Sequence, residues 1–328
     1  MQSSIKRILC LLVAVAIVGI GCSKENENSP ISPTPPSNTS SPILPSPIYV
    51  ALFTHIEDNT PAGELGTPTS RSAYEIWRNK LVQMGEMTLR LGVTWSLQPD
   101  WKILEAARLY EDASMTVSTG GITLFRYLSE NLNVIIDPHS HESGGYNYTD
   151  VAYLLDLLGV GGSTVIGGHI WDPSLTQFSH WERFRIPVFG ERYPTASWRG
   201  NILMGSGTPN HTNDPVVSGV WRPQSPDSYF EDDQTGNITA VGSWRNDISG
   251  ISALTEHYRS GLVQTTCMLT ASYHITPGSL NNLTKIETNV IAPLRSLQAS
   301  GKVELTDFTS LVATWQSRFG GQACIHLP

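Results

Sequence analysis

Charge is scarce along this chain. Asp, Glu, Lys and Arg together make up 15% of its 328 residues, and nowhere do lysines and arginines form a run. A nucleic-acid-binding surface needs a basic stripe or patch, so that class of partner is excluded. The formal net charge of −8 points the same way. Internal repeats are missing, and 40% hydrophobic content excludes a disordered polymer, a coiled coil and a collagen-like fibre. Cysteine is sparse, at four residues, and beyond residue 20 there is no second long apolar run. What the chain has in quantity is glycine and proline, 28 and 21 of them. They imply many loops and a surface of Ser, Thr, Asn and aromatic side chains, which suits a neutral, hydroxyl-rich ligand better than a polyanion.

The amino terminus reads as an address. Lys6 and Arg7 precede an apolar run over 8–20 that is too short for a confident membrane span. It ends in Gly19-Ile20-Gly21-Cys22, which resembles the lipobox of bacterial lipoproteins, with lipid expected on Cys22. Residues 1–21 are thus expected to be a signal peptide. Residues 22–47, rich in Ser and Pro and unable to build a core, are expected to be an extended tether. The implied location is the bacterial cell envelope, with the membrane held through Cys22. Of the cysteines that remain, Cys267 and Cys324 are free to pair in an oxidising compartment.

Residues 48–328 carry no further linker and are expected to form one domain. Strand patterns at 48–54, 93–97, 134–136, 163–167, 262–274 and 303–305 alternate with helical patterns at 71–91, 103–110, 124–132, 151–158, 248–261, 283–300 and 307–319. Asp307 is the expected N-cap of the last helix. Between 171 and 247 periodicity is weak, and long loops with irregular strands are expected. Strand–helix alternation predicts a parallel sheet, with chemistry at the carboxyl ends of its strands.

Three polar clusters lie at such ends. Thr54-His55-Ile56-Glu57-Asp58-Asn59 follows the first strand. Asp137-Pro138-His139-Ser140-His141-Glu142 follows the strand 134–136, and Tyr273-His274 closes a later one. In an extended segment His139 and His141 point to one side, so both imidazoles can reach a single ion. The bland reading makes Asp58-Asn59 a turn and His274 an ordinary polar residue.

In order, these clusters resemble the polysaccharide deacetylases, metal-dependent carbohydrate esterases on an irregular (β/α) barrel. Glu57-Asp58 is similar to the family's acidic pair, Asn133–His141 to its histidine motif, and Leu269–His274 to its closing histidine. The family's two histidines stand four apart, whereas the residue four after His139 is Ser143, so His141 takes the second role. The resemblance implies Glu57 as general base, Asp58, His139 and His141 as ligands of one divalent ion, zinc, and His274 as general acid. It implies removal of N- or O-acyl groups from a polysaccharide. The aromatic residues of 171–247 would supply a sugar platform, although most are expected to fill cores. His169, Trp171, His211, Trp221 and Arg222 are the candidates for facing substrate. Two rivals stand beside this reading: a metal phosphoesterase or amidohydrolase, from Asp-x-His-x-His, and a non-catalytic glycan-binding lipoprotein.

Overall fold

All nine residues of the first strand, β1 (Ile48–Ile56), are buried, a pattern that requires cover on both faces of a central strand. The computed structural model describes residues 46–168, 180–204, 216–245 and 247–328, and among them both covers are present. Val50, Leu52 and Ile56 face a core shared with Leu81, Met84 and Leu104 of flanking helices. Tyr49, Ala51 and Phe53 face a second core with Val165, Ile202, Val241 and Phe308.

The other strands are β2 (Ser96–Pro99), β3 (Ile135–Ile136), β4 (Val165–Ile166), β5 (Val188–Phe189), β6 (Ser197–Trp198), β7 (Ile202–Met204), β8 (Val220–Trp221), β9 (Thr239–Val241), β10 (Thr270–His274) and β11 (Val303–Thr306). The main sheet runs β10-β1-β2-β3, parallel throughout, with β11 also parallel to β1. A second sheet runs β4-β7-β9-β8 and is parallel except for β8. Strands β5 and β6 form a separate antiparallel pair.

The fold is therefore mixed α/β with a parallel sheet. A closed ladder of the expected barrel type is not formed among the described residues, but the two sheets meet at two seams. At one, His139 and Gly167 form an isolated parallel bridge. At the other, Ser272 donates its N–H to the Ser243 carbonyl (3.0 Å), and the Thr270 hydroxyl donates to the Gly242 carbonyl (2.7 Å).

Local chemistry sets the helix ends. The helix Pro68–Leu91 begins on a Thr67 cap with proline in its first turn and stops at Gly92, whose φ of 62° is left-handed. Asp307 caps Phe308–Arg318 by accepting the Ser310 N–H at 2.9 Å. The segment expected as one helix over 283–300 is instead Leu283–Ile286, a π turn at Glu287–Ile291, and Ala292–Ala299. Pro293 has no N–H to donate back one turn, and the wider turn accommodates the missing bond. The strand expected over 262–274 is confined to Thr270–His274. Among the described residues no helix is long and apolar enough to cross a membrane. The expected signal peptide, Cys22 and most of the expected tether lie outside the described residues.

Cys267 and Cys324 are joined in a disulfide, their Cα atoms 5.2 Å apart across 57 residues of sequence. It fastens the carboxyl-terminal segment, whose Cys324 N–H bonds the Val220 carbonyl at 2.9 Å, to the approach of β10. Closing a loop of that length restricts the unfolded chain by about 4 kcal/mol. Cys267→Ser is expected to lower unfolding free energy by about that amount in urea titrations, and an unchanged midpoint would refute the assignment.

Candidate metal centre

Alternation along β1 puts Phe53, His55 and Glu57 on one side of the strand and leaves Asp58 displaced from it. The His55 ring is packed by three other rings. It stacks on His139 at 4.3 Å and lies 4.9 Å from both Phe53 and His274. His139 continues the line of β3: Asp137 and His139 donate their N–H groups to the Leu97 and Pro99 carbonyls at 3.0 and 3.3 Å. Extended backbone then turns His141 to the same side. The two imidazoles converge on one atom, with His139 Nε2 and His141 Nε2 each 3.2 Å from Glu57 Oε2.

The neighbour of His139 fixes its tautomer. Its Nδ1 lies 3.1 Å from the Gly167 carbonyl oxygen, which can only accept, so Nδ1 carries the proton and Nε2 faces Glu57. The same carbonyl accepts the Tyr148 hydroxyl at 2.6 Å. This is the outer bond that metal-ligating histidines habitually make. Gly168 leaves the ring its room: at φ +69° it takes the left-handed conformation, and a Cβ there would fall 2.2 Å from His139 Nδ1.

Asp100 holds the other side. Its carboxylate caps the helix Trp101–Tyr110 by accepting the Trp101 N–H at 2.6 Å, and its second oxygen accepts the His141 backbone N–H at 3.0 Å. Asp58 Oδ1 lies 4.0 Å from His141 Nδ1, while its other oxygen accepts the Ser143 hydroxyl.

Burial and mutual charge shift these groups in different directions. Burial would raise Glu57, but its hydrogen bond to His139 and the charges of the surrounding histidines prevail and hold it down at about 2. For His139 burial acts downward, yet Glu57 and then Asp100 outweigh it and the net shift is upward. His55 is wholly buried and sits well below the usual imidazole range, first from burial and then from His139, His274 and His141. Asp100 is pushed up to about 6 by burial.

The donor set fits a small divalent cation. In two groups, His55–Glu57–His139 and Asp100–His139–His141, one ligand atom per residue lies within 4.8 Å of the others. Imidazole nitrogen with carboxylate oxygen suits zinc and other late transition metals. His55 Nε2 is buried without a hydrogen bond of good geometry among the described residues, and Gln98 is the side chain that bonds the ring.

Glu57, His139 and His141 thus meet, Asp58 stands at the rim, and the His274 ring lies against His55 and stacks on Phe53 at 4.9 Å. Trp221 and Arg222 sit elsewhere. Trp221 is wholly buried, with its indole N–H on the Tyr229 carbonyl at 2.6 Å, so it has no face to offer a sugar. Arg222 pairs with Asp232 at 2.6 Å and lines a cavity with Thr164 and Asn201, at the amino ends of β4 and β7. The reason is topological: β8 runs against β9, so the chain leaving β8 emerges at the end opposite the histidines. Trp181 and Trp244 are also core residues. His169, Trp171 and His211 lie outside the described residues. Two participants had no assigned role in the sequence: His55, visible within its cluster, and Asp100, whose only signal was an acidic residue between a strand and a helix.

No family model matches the chain, and no curated protein does. Among solved structures, a 4-alpha-glucanotransferase from Thermococcus litoralis is similar over 86% of this chain at a TM-score of 0.44 and 11% identity. The match spans 42% of that protein. A likeness this slight carries no inference about function.

The two shifts set a pH dependence for protein kept free of metal by a chelator. Glu57 lies below its ordinary 4.5, so its contribution is present above that value and lost as pH falls through about 2. His139 lies above its ordinary 6.5, so its contribution is complete below 6.5 and lost as pH rises through the folded value. The pair stabilises most between these limits. Chelated protein is expected to melt at a higher temperature near pH 6 than near pH 9, with a smaller difference in Glu57→Gln. Identical alkaline slopes for the two proteins would reject the pairing.

Proposed function

We propose that this chain is a metal-dependent hydrolase that removes N- or O-acyl groups from a carbohydrate polymer. In this reading the two sheets and their seams make up an irregular (β/α) barrel, held at the cell envelope by lipidated Cys22. The supporting observation is the approach of two imidazole Nε2 atoms to a single oxygen of Glu57, each at 3.2 Å, at the carboxyl ends of parallel strands.

Glu57, His139 and His141 would hold the ion, with His55 and Asp100 beside them. When bound, a zinc ion supplies Lewis acidity toward an acyl carbonyl and a lowered pKa for water. Relative to the family pattern the two carboxylates exchange roles. Glu57 is enclosed by imidazoles, whereas Asp58 stands at the rim with one oxygen fixed by Ser143 and the other open to a water proton. The Phe53 ring holds the His274 imidazole parallel to it, which orients a general acid for the departing amine or alkoxide. Asp100 keeps the His141 backbone in place, and Gly167 keeps His139 in the tautomer that faces Glu57.

Acetylated chitooligosaccharides and acetylated xylan are the probes for N- and O-acyl release. Asp58→Asn is expected to retain zinc and lose about 10²–10⁴-fold in kcat, the usual contribution of a positioned base. Glu57→Gln and His139→Ala are expected to lose the metal itself. Full zinc content in both of those variants, or release of acetate from neither polymer by the wild type, would overturn the assignment.

A further inference from the structure

A second depression opens beside the centre, on the far side of β10. Its volume is about 490 Å³, within the range of small-molecule sites. Tyr273 and Ile275 flank His274 and line this cavity. Successive strand residues face opposite ways, so the His274 ring meets His55 while its neighbours look into the depression. The floor is apolar, from the half-buried Tyr273 ring with buried Ile286 and Val290. The rim is polar and carries exposed Ser279, Lys285 and Asn289. Among the described residues no carboxylate lines it and Lys285 is its one cation, while the Asp247 carboxylate is near enough to raise the Tyr273 phenol after burial.

The backbone supplies a second observation. Asn289 and Val290 belong to the π turn Glu287–Ile291. This turn accommodates Pro293, and its extra residue widens the helix and redirects side chains; the other π turn, Tyr127–Asn131, contributes nothing to the cavity lining. Here the redirected residues are ones that line the cavity.

We propose that this cavity is a binding subsite for an acidic sugar ring, a hydroxylated pyranose bearing a carboxylate. This deepens the reading of the neighbouring centre and rests on it for the carbohydrate nature of the ligand. The Tyr273 ring takes the apolar face of the pyranose, Ser279 and Asn289 bond its hydroxyls, and Lys285 pairs with the carboxylate. The subsite holds a residue of the polymer other than the one losing its acyl group, so Lys285 favours a uronic acid at that one position although the composition of the chain as a whole suits neutral sugars.

Two tetrasaccharides test this by calorimetric titration: one alternating glucuronic acid with N-acetylglucosamine, and chitotetraose, which has the acetyl groups without the carboxylates. The protein used is full-length Asp58→Asn, in which turnover is suppressed. The acidic tetrasaccharide is expected to bind about tenfold more tightly, the scale of one charge-assisted hydrogen bond. Adding Lys285→Ala should bring the two ligands level, and adding Tyr273→Ala should weaken both. Zinc content and unfolding midpoint are measured for each variant to establish that it is folded. Equal affinity for the two ligands, or affinities that neither substitution alters, overturns the subsite. Binding is read without turnover, so the two proposals fail separately. Absence of acyl release with these binding effects intact removes the hydrolase reading alone. Acyl release with unaltered affinities removes the subsite alone.

Discussion

A partly buried carboxylate keeps its charge only if cationic or hydrogen-bonding partners meet it, and the arrangement around Glu57 is a consequence of that requirement. Its Oε2 is met by His139 and His141, 82 and 84 positions later in the chain, each at 3.2 Å. For residues so distant in sequence to arrive together, β1, β2 and β3 must run parallel and end at one level. The registers show this: Phe53 pairs with Ser96, and Ser96 with Ile135. A slip of one residue in β1 would turn His55 and Glu57 away and present Thr54 and Ile56 instead.

The second sheet supplies the backing of this site. His139 is held from behind by the Gly167 carbonyl, just past β4, and Gly168 leaves the space in which its ring lies. Tyr148, at the head of the helix Tyr148–Leu157, bonds the same carbonyl. The bridge between His139 and Gly167 is thus a seam in the fold and also the contact that sets a tautomer. Without it the histidine would be free to turn its other nitrogen toward Glu57.

Much of this was legible in the sequence because it is written in short-range patterns. Helix boundaries were marked by Gly92 and Asp307, each acting through its own backbone neighbours, whereas the Thr67 cap starts the first helix three residues before the expected 71. The approach of His139 and His141 to one point was legible because extended backbone has period two. The pairing of Glu57 rather than Asp58 with them was not, since adjacent carboxylates differ only in which side of a strand end they occupy. Asp100 was hidden by its ordinary role as a helix cap, which its second oxygen extends to the His141 N–H. The placement of Trp221-Arg222 depended on the reversed direction of β8, and a two-residue strand carries no signal of direction. The split at Glu287–Ile291 shows how one proline overrides a helical period that otherwise runs unbroken.

The distribution of charge separates structural from chemical roles. In a chain with so few charged residues, most ion pairs lie at the surface, where each contributes little. Among the described residues Arg78–Glu111 is the deeply buried Arg–carboxylate pair, and it is saturated: Glu111 also accepts the Tyr74 hydroxyl at 2.7 Å and the Leu124 N–H at 2.7 Å. That network is what a purely structural buried pair requires. The cluster at the strand ends is built differently. Asp100 and Asp137 are each pushed up to about 6, first of all by burial, and His55 is driven down by burial and by its neighbouring imidazoles. Apolar residues in these positions would cost the fold less. A local conflict between stability and composition at the carboxyl ends of parallel strands is what the proposed function would account for.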